Sequence, residues 1–170
     1  PVRHENSNTR RTVGDSAVGP MKVRQSSNPN HSPASLPSES DFDPYGGCLD
    51  AQSAWKHFGG LDLDSAYRKF CENPVFYQED LMFMGPTAFR FYFPVVDRYL
   101  REIRNDDEFG DCEAWILGKA IAAQLETDAN DELLMSIDRL CSYVRAHLAQ
   151  YASSLRDQKR VDKAWVSVEN

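Results

Sequence analysis

From Ala51 onward the apolar residues of this chain recur at helical spacing, and before it they follow no period. Ala51, Ala54, Trp55 and Phe58 share one side of a helix that Gly59-Gly60 ends. Asp62 or Asp64 can cap a short helix carrying Ala66, Tyr67 and Phe70. Asn73-Pro74 restarts the chain, because proline loses nothing in the first turn of a helix. Glu79 and Asp80 then interrupt an otherwise apolar segment from Val75 to Met84, which Gly85-Pro86 closes.

Pro86 opens the densest apolar stretch. Phe89, Tyr92, Phe93, Val96, Tyr99, Leu100 and Ile103 mark one face of a helix. Pro94 lies inside it, removing one backbone bond and pushing Phe93 away from the α region, which predicts a kinked or split helix. Phe89 to Phe93 also reads as a strand, with Phe at every second position. The helix is preferred, since no other segment alternates and a lone strand has no partner. Asp111 caps a further helix bearing Ala114, Ile116, Leu117, Ala120, Ile121 and Leu125. After Asp128-Ala129-Asn130 a stripe runs through Leu133, Leu134, Ile137, Leu140, Val144, Leu148, Tyr151 and Leu155. Past Arg156 the charges lose periodicity, and Val161–Val168 is expected as a tail docked through Trp165. The pattern predicts an all-α fold, an antiparallel bundle of five or six helices. Its core is expected to gather Tyr92, Phe93, Leu100, Leu117, Ile137, Leu140 and Val144.

Composition divides the chain. All 19 aromatic residues fall between Phe42 and Trp165, and residues 1–41 are rich in Ser, Asn and Pro. Such a segment buries too little apolar surface to offset the entropy of ordering it, so 1–41 is expected as a disordered leader. Residues 42–158 are then the helical domain and 159–170 the tail. Met21 has the look of a translation start, with no apolar segment after it to make a secretory signal. No apolar run approaches the roughly 20 residues of a membrane-spanning helix. The leader carries five basic and four acidic residues, while residues 42–170 carry 14 basic and 22 acidic, a net −8. Acidity therefore belongs to the folded part, and it disfavours nucleic acid as a partner.

Catalytic and metal-binding motifs are missing from the sequence. Cys48, Cys71, Cys112 and Cys141 form no Cys-x-x-Cys pair, so free thiols in a reducing cytoplasm are expected, with Cys71 and Cys141 on or beside apolar faces. His57 and His147 belong to no zinc or di-iron motif, and no metal or cofactor is expected. The glycines fit no phosphate cradle. Two acidic groups remain. Asp106, Asp107, Glu108 and Asp111 make a concentrated negative patch suited to a basic protein partner. Glu79 and Asp80 read first as a solvated face. With His57 and Tyr92 they are also the groups from which the fold could assemble an acid–base site. Arg90, Arg98, Arg101 and Arg104 give the middle helix a basic side, the feature a nucleic-acid-binding regulator would use.

The run from Glu79 to Pro94, with Gly85-Pro86-Thr87-Ala88-Phe89-Arg90-Phe91-Tyr92-Phe93-Pro94 at its centre, resembles small bacterial helical proteins of unknown function. In those a Pro-x-Ala-Phe-x-(Phe/Tyr)-Tyr-x-Pro motif precedes a helical segment, and some look like immunity proteins of toxin systems. The resemblance covers about 40 of the 170 residues and brings no catalytic residue. It implies a bacterial helical protein, while the missing catalytic motifs and the acidic folded part lead to the expectation of a non-enzymatic cytoplasmic protein that binds another protein, as an inhibitor of the immunity type does. An enzyme built on Glu79, Asp80 and His57 is the first alternative, and the nucleic-acid regulator the second.

Overall fold

Pro86 starts the helix around which the others assemble. The computed structural model describes residues 35–103, 114–126 and 130–168. Most of the leader, Arg104, the acidic residues Asp106, Asp107, Glu108 and Asp111, and Cys112 lie outside them. Helix α6 (Pro86–Glu102) follows Gly85 as its N-cap and packs against four other helices, α1 (Glu39–Phe42), α3 (Leu63–Glu72), α7 (Ala114–Leu125) and α8 (Asp131–Ala146). The remaining helices are α2 (Leu49–Phe58), the single turns α4 (Pro74–Tyr77), α5 (Asp80–Phe83) and α9 (Leu148–Tyr151), and α10 (Leu155–Val166). Among the described residues six helices have ten residues or more, and there is no strand. The chain is an all-α bundle. The strand alternative for Phe89 to Phe93 is thereby overturned, and α6 runs unbroken through Pro94. Pro94 and Arg90, whose carbonyl loses its donor, both sit on the exposed side, where water replaces the missing bond.

The seven expected core residues are all buried in one apolar cluster. Phe42 joins them at 0% exposure, with its ring edge-on to Trp55 at 5.3 Å and tilted on Tyr92 at 5.8 Å. That ring belongs to α1, whose first turn is closed by the Ser38 backbone N–H donating to Asp41 Oδ2 at 2.8 Å. Helix α1 crosses the expected leader boundary, and the compact unit containing the core begins at Ser35.

The long final stripe is divided among three helices. α8 stops at Ala146, His147 and Ala152 leave the helical conformation on either side of α9, and Ser154 caps α10 by accepting from the Asp157 N–H. The break is made by tertiary hydrogen bonds. Gln150 Nε2 donates to the carbonyls of Leu100 and Ile103 (3.0 and 2.9 Å), and the Tyr151 hydroxyl donates to Leu100 (2.7 Å). They close the C-terminal end of α6, whose last carbonyls have no partner within the helix. Residues expected as a tail thus continue α10 to Val166, and Trp165 is fully buried. Its indole N–H donates to the Ala114 carbonyl at 2.9 Å, and Gly118 lets the two helices meet, since a Cβ there would lie 3.0 Å from the indole nitrogen.

Two more helix ends are closed in the same way. Gln124 Nε2 on α7 reaches the carbonyls of Leu81, Met82 and Met84 at 2.9, 3.0 and 2.7 Å, gripping the single turn α5. The Tyr92 hydroxyl shares its proton between the carbonyls of Phe58 and Leu61 (2.7 and 2.8 Å), pinning the turn between α2 and α3.

Candidate functional site

The four residues named for an acid–base site divide on inspection. His57 ends the last turn of α2 and Asp80 opens α5, and packing of those two helices brings them together. His57 Nδ1 and Asp80 Oδ2 are 2.8 Å apart, with side chains 24% and 11% exposed. Burial pushes the Asp80 carboxyl above the usual carboxylate range. The hydrogen bond and charge of His57 oppose that rise, while Asp50 and Glu79 add to it. Asp80 is therefore no solvated face, whereas Glu79 beside it is exposed. Tyr92 does other work: its phenol is spent on the two backbone carbonyls, and burial pushes it up to about 12.

Aromatic rings wall the histidine. Phe76 and Tyr77 stand edge-on to the imidazole at 5.2 and 5.3 Å, and Lys69 Nζ lies 5.0 Å from the centre of the Tyr77 ring. Asn73 caps this turn by accepting from the Phe76 N–H, and Pro74 is buried beneath it. Phe76, its backbone capped and its ring against His57, is nonetheless 57% exposed, next to Val75 at 49%. An ionised Asp80 accepts from Nδ1–H, the tautomer that leaves the lone pair of a neutral imidazole on Nε2. Among the described residues no hydroxyl or thiol is hydrogen-bonded to the imidazole, and no three His, Cys, Asp or Glu side chains converge to hold a metal.

No protein-family model matches the chain, and neither does any curated protein or solved structure. The chemistry rests on its own residues. Asp106, Asp107, Glu108 and Asp111 fall outside the described ones, and so does Arg104. Of the other arginines of the middle helix, Arg90 is exposed, while Arg98 and Arg101 are divided between neighbours. Arg98 turns toward α3, stacking 3.8 Å above the Tyr67 ring and bonding Glu102 at 3.0 Å and Asp64 at 3.4 Å. Arg101 pairs with Asp97 at 2.9 Å and lies 4.5 Å over Tyr143 of α8. They staple helices rather than form one basic surface. Of the cysteines, Cys141 is buried, and Cys71 is exposed rather than covered, as is Cys48. No helix among the described residues is long and apolar enough to cross a membrane.

A basic surface does exist, in a region the sequence pattern assigned to a tail. Arg156, Lys159, Arg160 and Lys163 of α10 are exposed and, with Lys119 and Trp115 of α7, line adjoining hollows of about 560 and 360 Å³. The Arg160 guanidinium stacks 3.5 Å from the centre of the Trp115 ring, and Lys119 Nζ lies 4.7 Å from it. The readable signal was the i, i+3, i+7 placement of Arg156, Lys159 and Lys163, which Asp157 and Asp162 obscure.

Proposed function

We propose that this chain is a helical protein-binding domain, with Phe76 and Val75 as its apolar contact. The observation carrying this reading is a large aromatic side chain held in place by a capped turn and a neighbouring imidazole, yet more than half exposed. Rigid aromatic side chains of this kind dominate binding energy at protein interfaces, because little entropy remains to be lost when a partner covers them. An inhibitor of the immunity type, bacterial and cytoplasmic, is the specific form suggested by the motif at residues 79–94.

The test is photo-cross-linking from position 75, with benzoylphenylalanine in place of Val75 and the source cells as the pool of partners. A discrete adduct whose yield drops in the Phe76→Ser background, at unchanged thermal stability, supports the reading. Equal yields from both backgrounds refute it.

The hydrogen bond between His57 and a buried carboxylate favours one second reading, an acid–base enzyme at that pair. Turnover of an ester, amide or phosphodiester that His57→Gln abolishes without unfolding the protein would replace the binding reading.

A further inference from the structure

Among the described residues, the α7–α10 face joins five cations, Lys119, Arg156, Lys159, Arg160 and Lys163, to a single carboxylate, Asp157. That carboxylate is engaged, since Asp157 Oδ2 accepts from the Ser154 hydroxyl at 2.6 Å in the cap of α10. Asp162, the other acid of the helix, turns to the opposite side and pairs with Arg145 of α8 at 3.0 Å. Arg160 covers the Trp115 indole. Lys119 lies over the same ring, so Arg156, Lys159 and Lys163 are the charges left for a ligand.

The arrangement works against the helix that carries it. Arg156 and Arg160 are four residues apart, as are Lys159 and Lys163, and each such pair of like charges destabilises a helix. Arg156 also stands in the first turn, where the helix dipole favours anions. A helix selected only to be solvated would alternate its signs. Here cations gather on one side while Val161, Ala164 and Trp165 hold the other in the core.

We propose that this face docks a short acidic segment of a partner protein, a run of Asp or Glu carrying one apolar side chain. The inference rests on the protein-binding reading and gives it a second surface. Charge complementarity selects the occupant. Arg156 to Lys163 spans about 10 Å of helix axis, enough for two or three carboxylates of an extended peptide. The hollow beside it, lined by Trp115 and Ala164 among its cations, accepts an apolar side chain. A long nucleic acid fits worse. Apart from this face, residues 42–170 hold 9 basic and 21 acidic residues, so a phosphate chain leaving the patch meets repulsion beyond about one Debye length, ~8 Å.

Fluorescence anisotropy on the full chain tests this with three labelled probes: a Glu-rich peptide containing one Leu, the same peptide with Gln for Glu, and an oligothymidylate of equal charge. The expected result is salt-sensitive binding of the Glu peptide, at least about tenfold tighter than the Gln peptide. Arg156→Gln, Lys159→Gln and Lys163→Gln together should weaken it about tenfold without lowering the melting temperature, since they also remove the like-charge pairs of the helix. No binding of the Glu peptide, equal binding by the triple variant, or tighter binding of the oligothymidylate each overturns the proposal. If the Glu peptide fails while the Phe76-dependent adduct persists, only this surface is withdrawn. Loss of that adduct requirement with the Glu peptide still bound withdraws the Phe76 contact instead.

Discussion

Replacing Gly85 with alanine sets two physical effects of opposite sign against each other. Gly85 has φ −62° and ψ 158°, a conformation any L-residue adopts and one suited to the position before Pro86. On backbone grounds alone, alanine restricts the unfolded chain and should stabilise the fold by about 0.4–1 kcal/mol. The surroundings say the reverse. A Cβ on Gly85 would overlap the Asp41 carbonyl oxygen, and would lie 2.8 Å from Pro44 Cδ and 3.2 Å from the Phe42 carbonyl oxygen. Two of those neighbours are backbone, so α1 itself must move. Moving it weakens the bond from the Gly85 N–H to the Phe42 carbonyl, now 2.8 Å, and disturbs the fully buried Phe42 ring. Overpacking of this kind costs about 1–3 kcal/mol, and a weakened hydrogen bond adds about 0.5–1.5 kcal/mol. The net expectation is a loss of about 1–3 kcal/mol, read by urea denaturation followed by circular dichroism and tryptophan emission. Trp55 packs on Phe42, so its emission should change in the native baseline as well. A variant as stable as the wild type, or more so, would show that α1 is not seated against Gly85 and would refute the reasoning.

Leu140→Ala should cost about 2–5 kcal/mol in the same assay, because Leu140 is fully buried, and a loss under about 1 kcal/mol would place α8 away from the core. Gln124→Leu keeps the volume but strips three carbonyls of a donor. A loss of about 1–3 kcal/mol is expected, with faster hydrogen exchange through Asp80–Phe83, and unchanged exchange there would count against the clamp. Burial makes folded Asp80 hold its proton more tightly than the unfolded chain does, so its contribution to stability falls as pH rises from about 4 through the raised value. Asp80→Asn should remove that decline, and pH–stability curves running parallel for variant and wild type would disprove it.

Periodicity reveals α6 and the core because burial selects the same face turn after turn. It fails where a decision is tertiary. The stripe from Leu133 to Leu155 keeps its rhythm through the break at His147, and nothing in it shows that Gln150 and Tyr151 of α9 bond the end of α6, some fifty residues earlier. Leu155, counted into the stripe, is 76% exposed. Trp165 belongs to the core, and only its docking, not the helix carrying it, was readable. The acid–base residues were half legible. Residue type singles out His57 and Asp80, but their pairing across 23 positions depends on α2 meeting α5. Tyr92 has the right chemistry for a proton donor, and its neighbours use that proton to hold a turn. The α10 cations were hidden because the eye follows net charge along the chain, while the helix sorts charges by angle.

Gln124, Gln150, Tyr151, Tyr92 and Trp165 each carry a donor that bonds a carbonyl at a helix end. Aliphatic stripes are interchangeable: two helices can exchange neighbours, or slide by a turn, at modest cost in buried area. These donors act as keys. An exchanged or shifted packing strands several N–H and O–H groups away from water, and the penalties accumulate where apolar contacts alone would be nearly indifferent. Every key is uncharged over ordinary pH, so the choice among rival packings should survive changes of salt and pH that alter stability itself.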